Sequence, residues 1–164
     1  YIQDGVPAGA ELVIDGREQP ITNGREGHFL ASSLLDRVSP DMKIYLEEIF
    51  GPVLVMLRAK DFQQALDLVN NNRFGNEVAV FTSNGSIARE FTNKVQIGMV
   101  GVNVAIPVPL AFYSFGGWKD SIYGSSNIYG MDGVRFFTKL KTVTTRWPDL
   151  NQSSAVDLSM PIVE

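Results

Sequence analysis

Cysteine is absent from the 164 residues, and histidine occurs once. The first absence excludes disulfides, thiolate metal sites and any sulfur nucleophile supplied by this chain. The second leaves His28 without the partners that metal or triad chemistry needs, so it reads as a loop residue between Gly27 and Phe29. No metal site and no reacting residue is expected. A basic excess is missing too: 14 Lys+Arg stand against 18 Asp+Glu, and the pI is near 5.0. The chain therefore offers no footprint for a phosphate backbone, and nucleic acid is not an expected partner. P-loop, Gly-x-Gly-x-x-Gly, zincin and nucleophile-elbow patterns are all lacking.

Charge itself disappears from Val95 to Trp118, a run long enough to span a bilayer. Its content argues against spanning. Pro107 and Pro109 break a helix, and Gln96, Asn103 and Ser114 would need partners inside lipid. The run reads as a buried strand followed by a buried loop, with no membrane role. The first residues, Tyr1 to Gly5, show neither the basic start nor the apolar run of a signal peptide and read as a cut edge. What remains is ordinary: 45% hydrophobic residues and 20% charged, enough at this length to bury roughly two thirds of the unfolded surface.

Strand candidates are Ala10 to Ile14, closed by the Asp15-Gly16 turn, and His28 to Val38 after a Gly-rich loop. Ser39-Pro40-Asp41 opens a short helix carrying Met42, Tyr45, Leu46 and Ile49, with Ser39 as its cap. Val53 to Leu57 is continuously apolar, as in a strand buried on both faces. Asp61 caps a helix whose stripe is Phe62, Ala65, Leu66 and Val69. Val78 to Phe81 is another strand, Ser83 or Ser86 caps a helix reaching Val95, and Met99 to Val104 is a third strand. This alternation predicts an α/β fold with a mostly parallel sheet and crossover helices, and a site beyond the strand ends. The long loop Ala105 to Gly130 is the functional candidate. Met131 to Leu140 is a last helix, Thr142 to Trp147 a strand, and a loose tail follows Asp149. Glu47 and Glu48 point apart as sequence neighbours and cannot flank one bond, although one of them can accept from a ligand. The sequons at Asn84 and Asn151 are treated as chance.

The run Glu47-Glu48-Ile49-Phe50-Gly51-Pro52-Val53 resembles a signature of the aldehyde dehydrogenase superfamily. It stands at the family's distance before Asn70-Asn71-Asn72-Arg73-Phe74-Gly75 and Val80-Phe81-Thr82. Gly98 to Asn103 and Phe115-Gly116-Gly117-Trp118-Lys119-Asp120-Ser121 fall where the family has its G-x-V-x-V-N strand and F-G-G-x-K-x-S loop. Three stretches, Gly101 to Leu110, Ile14 to Arg17 and Gly133 to Thr138, are similar to the CoA-acylating, methylmalonate-semialdehyde dehydrogenase branch. After Ser121 the hydrolytic members continue G-x-G-R-E, whereas Ile122 to Asn127 follows here, as in the acylating branch.

The resemblance implies a division of labour. In the family a cysteine thiolate attacks the aldehyde and hydride passes to NAD, and in this branch CoA takes the acyl group. The cysteine, the Rossmann domain and the oxyanion-hole asparagine would all lie upstream, so this chain would be a C-terminal portion, inactive alone. Residues 1–141 would form a partial catalytic domain, 142–148 an oligomerisation strand and 149–164 a tail. Glu48 would accept hydrogen bonds from the nicotinamide ribose and Phe50 would lie beside that ribose. Phe115 would wall the substrate pocket, with Ile106 and Pro107 lining it. Asn103, Trp118 and Lys119 would position loops. The substrate would be a semialdehyde, Thr142 to Trp147 would pair homo-oligomeric subunits, and the compartment would be bacterial cytoplasm or mitochondrial matrix. The rival expectations are a catalytically inert assembly module and an ordinary non-acylating enzyme.

Overall fold

The structure, a computed structural model, describes residues 1–19, 26–145 and 147. The chain opens with a one-turn helix, α1 (Ile2–Gly5), and strand β1 (Glu11–Ile14). Asp15 then caps a 3₁₀ turn, accepting from the Arg17 amide at 3.0 Å. Strand β2 (Ser33–Asp36) lies antiparallel to β1 and parallel to β3 (Val53–Val55). Leu35, fully buried, sits at the centre of a first core with Ala10, Val38, Met42 and Ile44.

The connection from β2 to β3 is less helical than its sequence suggests. Helix α2 covers only Lys43–Leu46, and its cap position is Met42, with no side-chain bond. Ser39 bonds Asp41 instead of capping. Buried Ile44 anchors the turn, while Leu46, expected on the apolar stripe, is exposed. Strand β3 is not buried on both faces: Leu54 is 64% exposed. Val53, Val55 and Leu57 alone face the core, so the run alternates despite its uniform apolarity.

Helix α3 (Phe62–Asn71) starts at Asp61, whose carboxylate accepts from the Gln64 amide at 2.8 Å, as expected. After the two-residue strand β4 (Phe74–Gly75), β5 (Glu77–Val80), α4 (Gly85–Lys94) and β6 (Met99–Val102) form a parallel β-α-β unit. Neither serine caps α4. Asn84 does, accepting from the amides of Ser86 and Ile87 at 2.9 and 3.3 Å. The sequon asparagine is thereby given a structural task. Leu66, Phe91, Val95 and Ile97 make a second core, with Phe62 edge-on to Phe91.

One continuous parallel sheet does not form. Strands β1-β2-β3 and β5-β6 remain separate sheets, each over its own core. Between them runs an apolar groove of about 530 Å³, lined by Leu57, Leu68, Phe74 and Val78 among others. Beyond β6 the loop is not buried either: Ile106, Leu110 and Phe112 are all exposed. Its only strand, β7 (Trp118–Lys119), pairs antiparallel with β4. Helix α5 (Gly130–Phe136) is shorter than the expected Met131 to Leu140. Residues 142–145 form no strand and are exposed, whereas residues 146 and 148, the tail 149–164 and part of the Gly-rich loop lie outside the described residues. Among the described residues no helix is long and apolar enough to cross a membrane.

Asp36, at the end of β2, is buried yet charged. The Arg58 guanidinium donates to both its oxygens, and the Arg37 amide adds a bond of 2.7 Å. Hydrogen bonding by Arg58, then by the Arg37 amide, holds its carboxyl below the usual value.

Two outcomes are expected. Leu35→Ala should lower stability by about 3 kcal/mol, read from urea midpoints, because the first core closes around that side chain. Asp36 has a folded-state pKa below its unfolded value of about 3.9, so its stabilisation is present above that pH and is lost as pH falls through the folded value. Asp36→Asn should therefore be less stable than the parent near neutrality, with the difference shrinking in acid. A pH-independent gap would contradict the ion pair's role.

Candidate functional site

The C-terminus of α3 leaves carbonyl groups without helical partners. The Lys119 ammonium meets three of them, donating to the carbonyls of Asn70 at 2.9 Å, Asn72 at 3.0 Å and Val69 at 3.5 Å. A cation at this end is also favoured by the helix dipole. Lys119 takes a left-handed backbone, φ +53°, to reach there. Its neighbours reinforce the join: Arg73 pairs with Asp120 at 2.7 Å, and the Gly75 amide donates to Ser121 Oγ at 3.0 Å. Asn70 meanwhile accepts from the Gln96 amide and donates to the Lys94 carbonyl, tying α3 to the end of α4.

This knot fixes the loop that carries Phe115. Phe115 is half-buried and lines a cleft of about 420 Å³ with Asn76, Met99, Ile122 and Tyr129. Tyr129 lies parallel to it, centroids 4.5 Å apart and planes 6° apart. Nothing in the sequence singled Tyr129 out; the aromatic richness of the loop was the only signal.

Asn103 behaves as expected of a residue that ties loop backbone. Left-handed at φ +57°, it accepts from the Thr82 amide at 2.9 Å and donates to the Thr82 carbonyl at 3.0 Å, joining the ends of β5 and β6. Pro107 is half-buried and Ile106 exposed; neither lines the Phe115 cleft.

Glu48 and Phe50 occupy a different face. The Gly51 amide bonds the Ile49 carbonyl at 3.0 Å and the Val53 amide bonds the Gly51 carbonyl at 2.8 Å, two successive three-residue turns. Phe50 stands at the apex of the first, 98% exposed. Glu48 is exposed, and among the described residues no hydrogen bond engages its carboxylate. Glu47 differs, accepting from the Tyr1 hydroxyl at 2.6 Å. The structure thus brings Phe115 into a cleft, and leaves Glu48 and Phe50 outside it.

Comparison with known proteins shows the family. Residues 1–143 match the aldehyde dehydrogenase family model. The chain belongs to the aldehyde dehydrogenase family. It is 48% identical over 161 residues to the malonate-semialdehyde dehydrogenase of Pseudomonas aeruginosa, a match covering 98% of this chain and 32% of that protein. It is also 48% identical to a mitochondrial, acylating methylmalonate-semialdehyde dehydrogenase of Arabidopsis thaliana, covering 98% of this chain and 26% of that one. A Sinorhizobium meliloti chain assigned as methylmalonate-semialdehyde dehydrogenase and solved with NAD superposes with a TM-score of 0.86 at 50% identity, covering 90% of this chain and 30% of that chain. The methylmalonate-semialdehyde dehydrogenase of Oceanimonas doudoroffii gives 0.87 at 48% identity, with 91% and 30% covered. This aldehyde dehydrogenase chain therefore spans about 30% of the length of such relatives, and its α/β fragment has their fold.

Replacing Lys119 by Met keeps the stem and deletes the donors. We expect a loss of about 1–2 kcal/mol and faster hydrogen exchange at the amides of Gly75, Asp120 and Ser121, with Lys119→Arg retaining part of the protection. Unchanged exchange at those amides would show that the knot holds without the ammonium.

Proposed function

We propose that this chain is the C-terminal part of an NAD-dependent, CoA-acylating dehydrogenase of malonate or methylmalonate semialdehyde. The observation that carries the reading is the pairing of near-complete coverage of this chain with about 30% coverage of semialdehyde dehydrogenases. The chain has no cysteine, so in this reading the reacting sulfur comes from outside these 164 residues.

The residues present fit the cofactor. Glu48 offers an exposed carboxylate not engaged within the described chain, and two oxygens of one carboxylate can accept from two adjacent hydroxyls. Phe50, held out at a turn apex, supplies a rigid ring beside the same place. When bound, NAD supplies the oxidising power by accepting hydride. The chain's own work is to bind, orient and exclude water: Glu48 and Phe50 clamp the cofactor's ribose, and Phe115 walls the aldehyde pocket. Ile106 and Pro107 complete that lining once the rest of the polypeptide is in place. The segment Thr142 to Trp147 joins subunits into a homo-oligomer by strand addition, a role supported by the exposure of Val143 and Trp147.

The test is NADH formation from malonate or methylmalonate semialdehyde by a polypeptide carrying this chain with the upstream portion its relatives possess. CoA should accelerate turnover and leave the acyl-CoA as product; turnover indifferent to CoA would favour the non-acylating enzyme. Activity in the isolated chain would sink the proposal. In the complete form Glu48→Gln should raise the KM for NAD about tenfold, the worth of weakened hydrogen bonds to a charged acceptor, with the KM for aldehyde little changed.

A further inference from the structure

Phe115 has one face already covered. The Tyr129 ring lies almost parallel to it at 4.5 Å, within the range of a favourable aromatic stack. The second ring is held by backbone. The Ser114 hydroxyl donates to the Tyr129 carbonyl at 3.3 Å, and the Gly130 amide donates to the Ala111 carbonyl at 3.1 Å. Gly130 has φ +61°, and a Cβ there would stand 2.6 Å from the Ser114 nitrogen. Only glycine permits so close an approach of residues 127–130 to 111–116. The Asp132 amide, in the first turn of α5, donates to Ser114 Oγ at 3.3 Å and closes the same contact. Both rings are therefore fixed by the chain that carries them.

Resting on the reading of Phe115 as the wall of the aldehyde pocket, we propose that Tyr129 is a specificity-determining residue that occupies the stacking face of Phe115. An aliphatic aldehyde needs only a greasy wall, which the cleft provides through Met99, Ile122 and Ile128. An aromatic aldehyde gains most by stacking on an open ring, and one of the two faces of Phe115 is already taken by Tyr129. The pocket thus favours aliphatic over aromatic aldehydes through internal stacking. The effect belongs to the ring of Tyr129, since the bonds that hold this residue run through its backbone.

The experiment compares kcat/KM for benzaldehyde and for propanal, with NAD, in the complete polypeptide. The ratio of the two is independent of how much of a variant is folded. Tyr129→Ala should raise the benzaldehyde-to-propanal ratio about tenfold, the discrimination expected when one stacking position opens in an apolar pocket. Tyr129→Phe should keep the parent ratio. An unchanged ratio in Tyr129→Ala, benzaldehyde turnover still undetectable there while propanal is used, or an equal rise in Tyr129→Phe would each overturn the assignment. Phe115→Ala separates the two readings: if it moves neither aldehyde's kcat/KM, the pocket itself is misplaced, whereas a Phe115 effect without a Tyr129 effect removes Tyr129 alone.

Discussion

The end of α3 is the point on which the second half of the molecule depends. A helix terminus inside a fold must have its carbonyls answered. Here a single ammonium from residue 119 answers three, some 50 residues along the chain from their owners. The loop that walls the cleft has almost no core of its own: Phe112, Tyr113, Trp118 and Tyr123 are all exposed. Its position is therefore set by polar bonds to α3, β4 and the Arg73–Asp120 pair rather than by burial. Directional bonds suit a wall, because they fix geometry as well as adding stability.

The same reasoning explains why the apolar surface is so extensive. Two small cores, one under β1-β2-β3 and one under β5-β6, flank an open apolar groove. Strand edges facing such a groove are costly to leave bare. The chain covers about 30% of its relatives' length, and in the function proposed above those edges and that groove are where further polypeptide packs. Uncovered apolar side chains such as Phe50, Phe137 and Leu140 are then unsurprising.

Much of the fold was legible because its signals were local. Asp61 before an apolar stripe made α3 readable, and the β5-α4-β6 unit followed from strand and helix periods. Errors arose where a local signal met a competing partner. Ser39 looked like a cap but found Asp41, and Asn84 outcompeted two serines because its longer amide reaches two amides. Val53 to Leu57 looked buried on both faces because apolarity says nothing of which partner strands are present. The candidate site residues were named only through motif resemblance. Spacing alone could not reveal that Lys119 caps a helix or that Tyr129 stacks on Phe115, since both contacts join residues whose nearness is a property of the folded loop.

The separation of Glu48 and Phe50 from Phe115 bears on how such a pocket is built. In the proposed function a ribose clamp and an aldehyde wall would touch different ends of a reacting pair, and precise placement of both would matter more to rate than the strength of either contact. Each is held here on its own framework: Phe50 on two tight turns braced by β3, Phe115 on the knot at the end of α3. Neither framework moves with the other through a shared core, because the two hydrophobic clusters do not merge. The two halves are tied across the groove by the Tyr45 hydroxyl, which donates to the Leu68 carbonyl at 2.9 Å. That makes the half-buried bond from Tyr45 to the last turn of α3 a direct polar link between the framework that carries Phe50 and the one that carries Phe115.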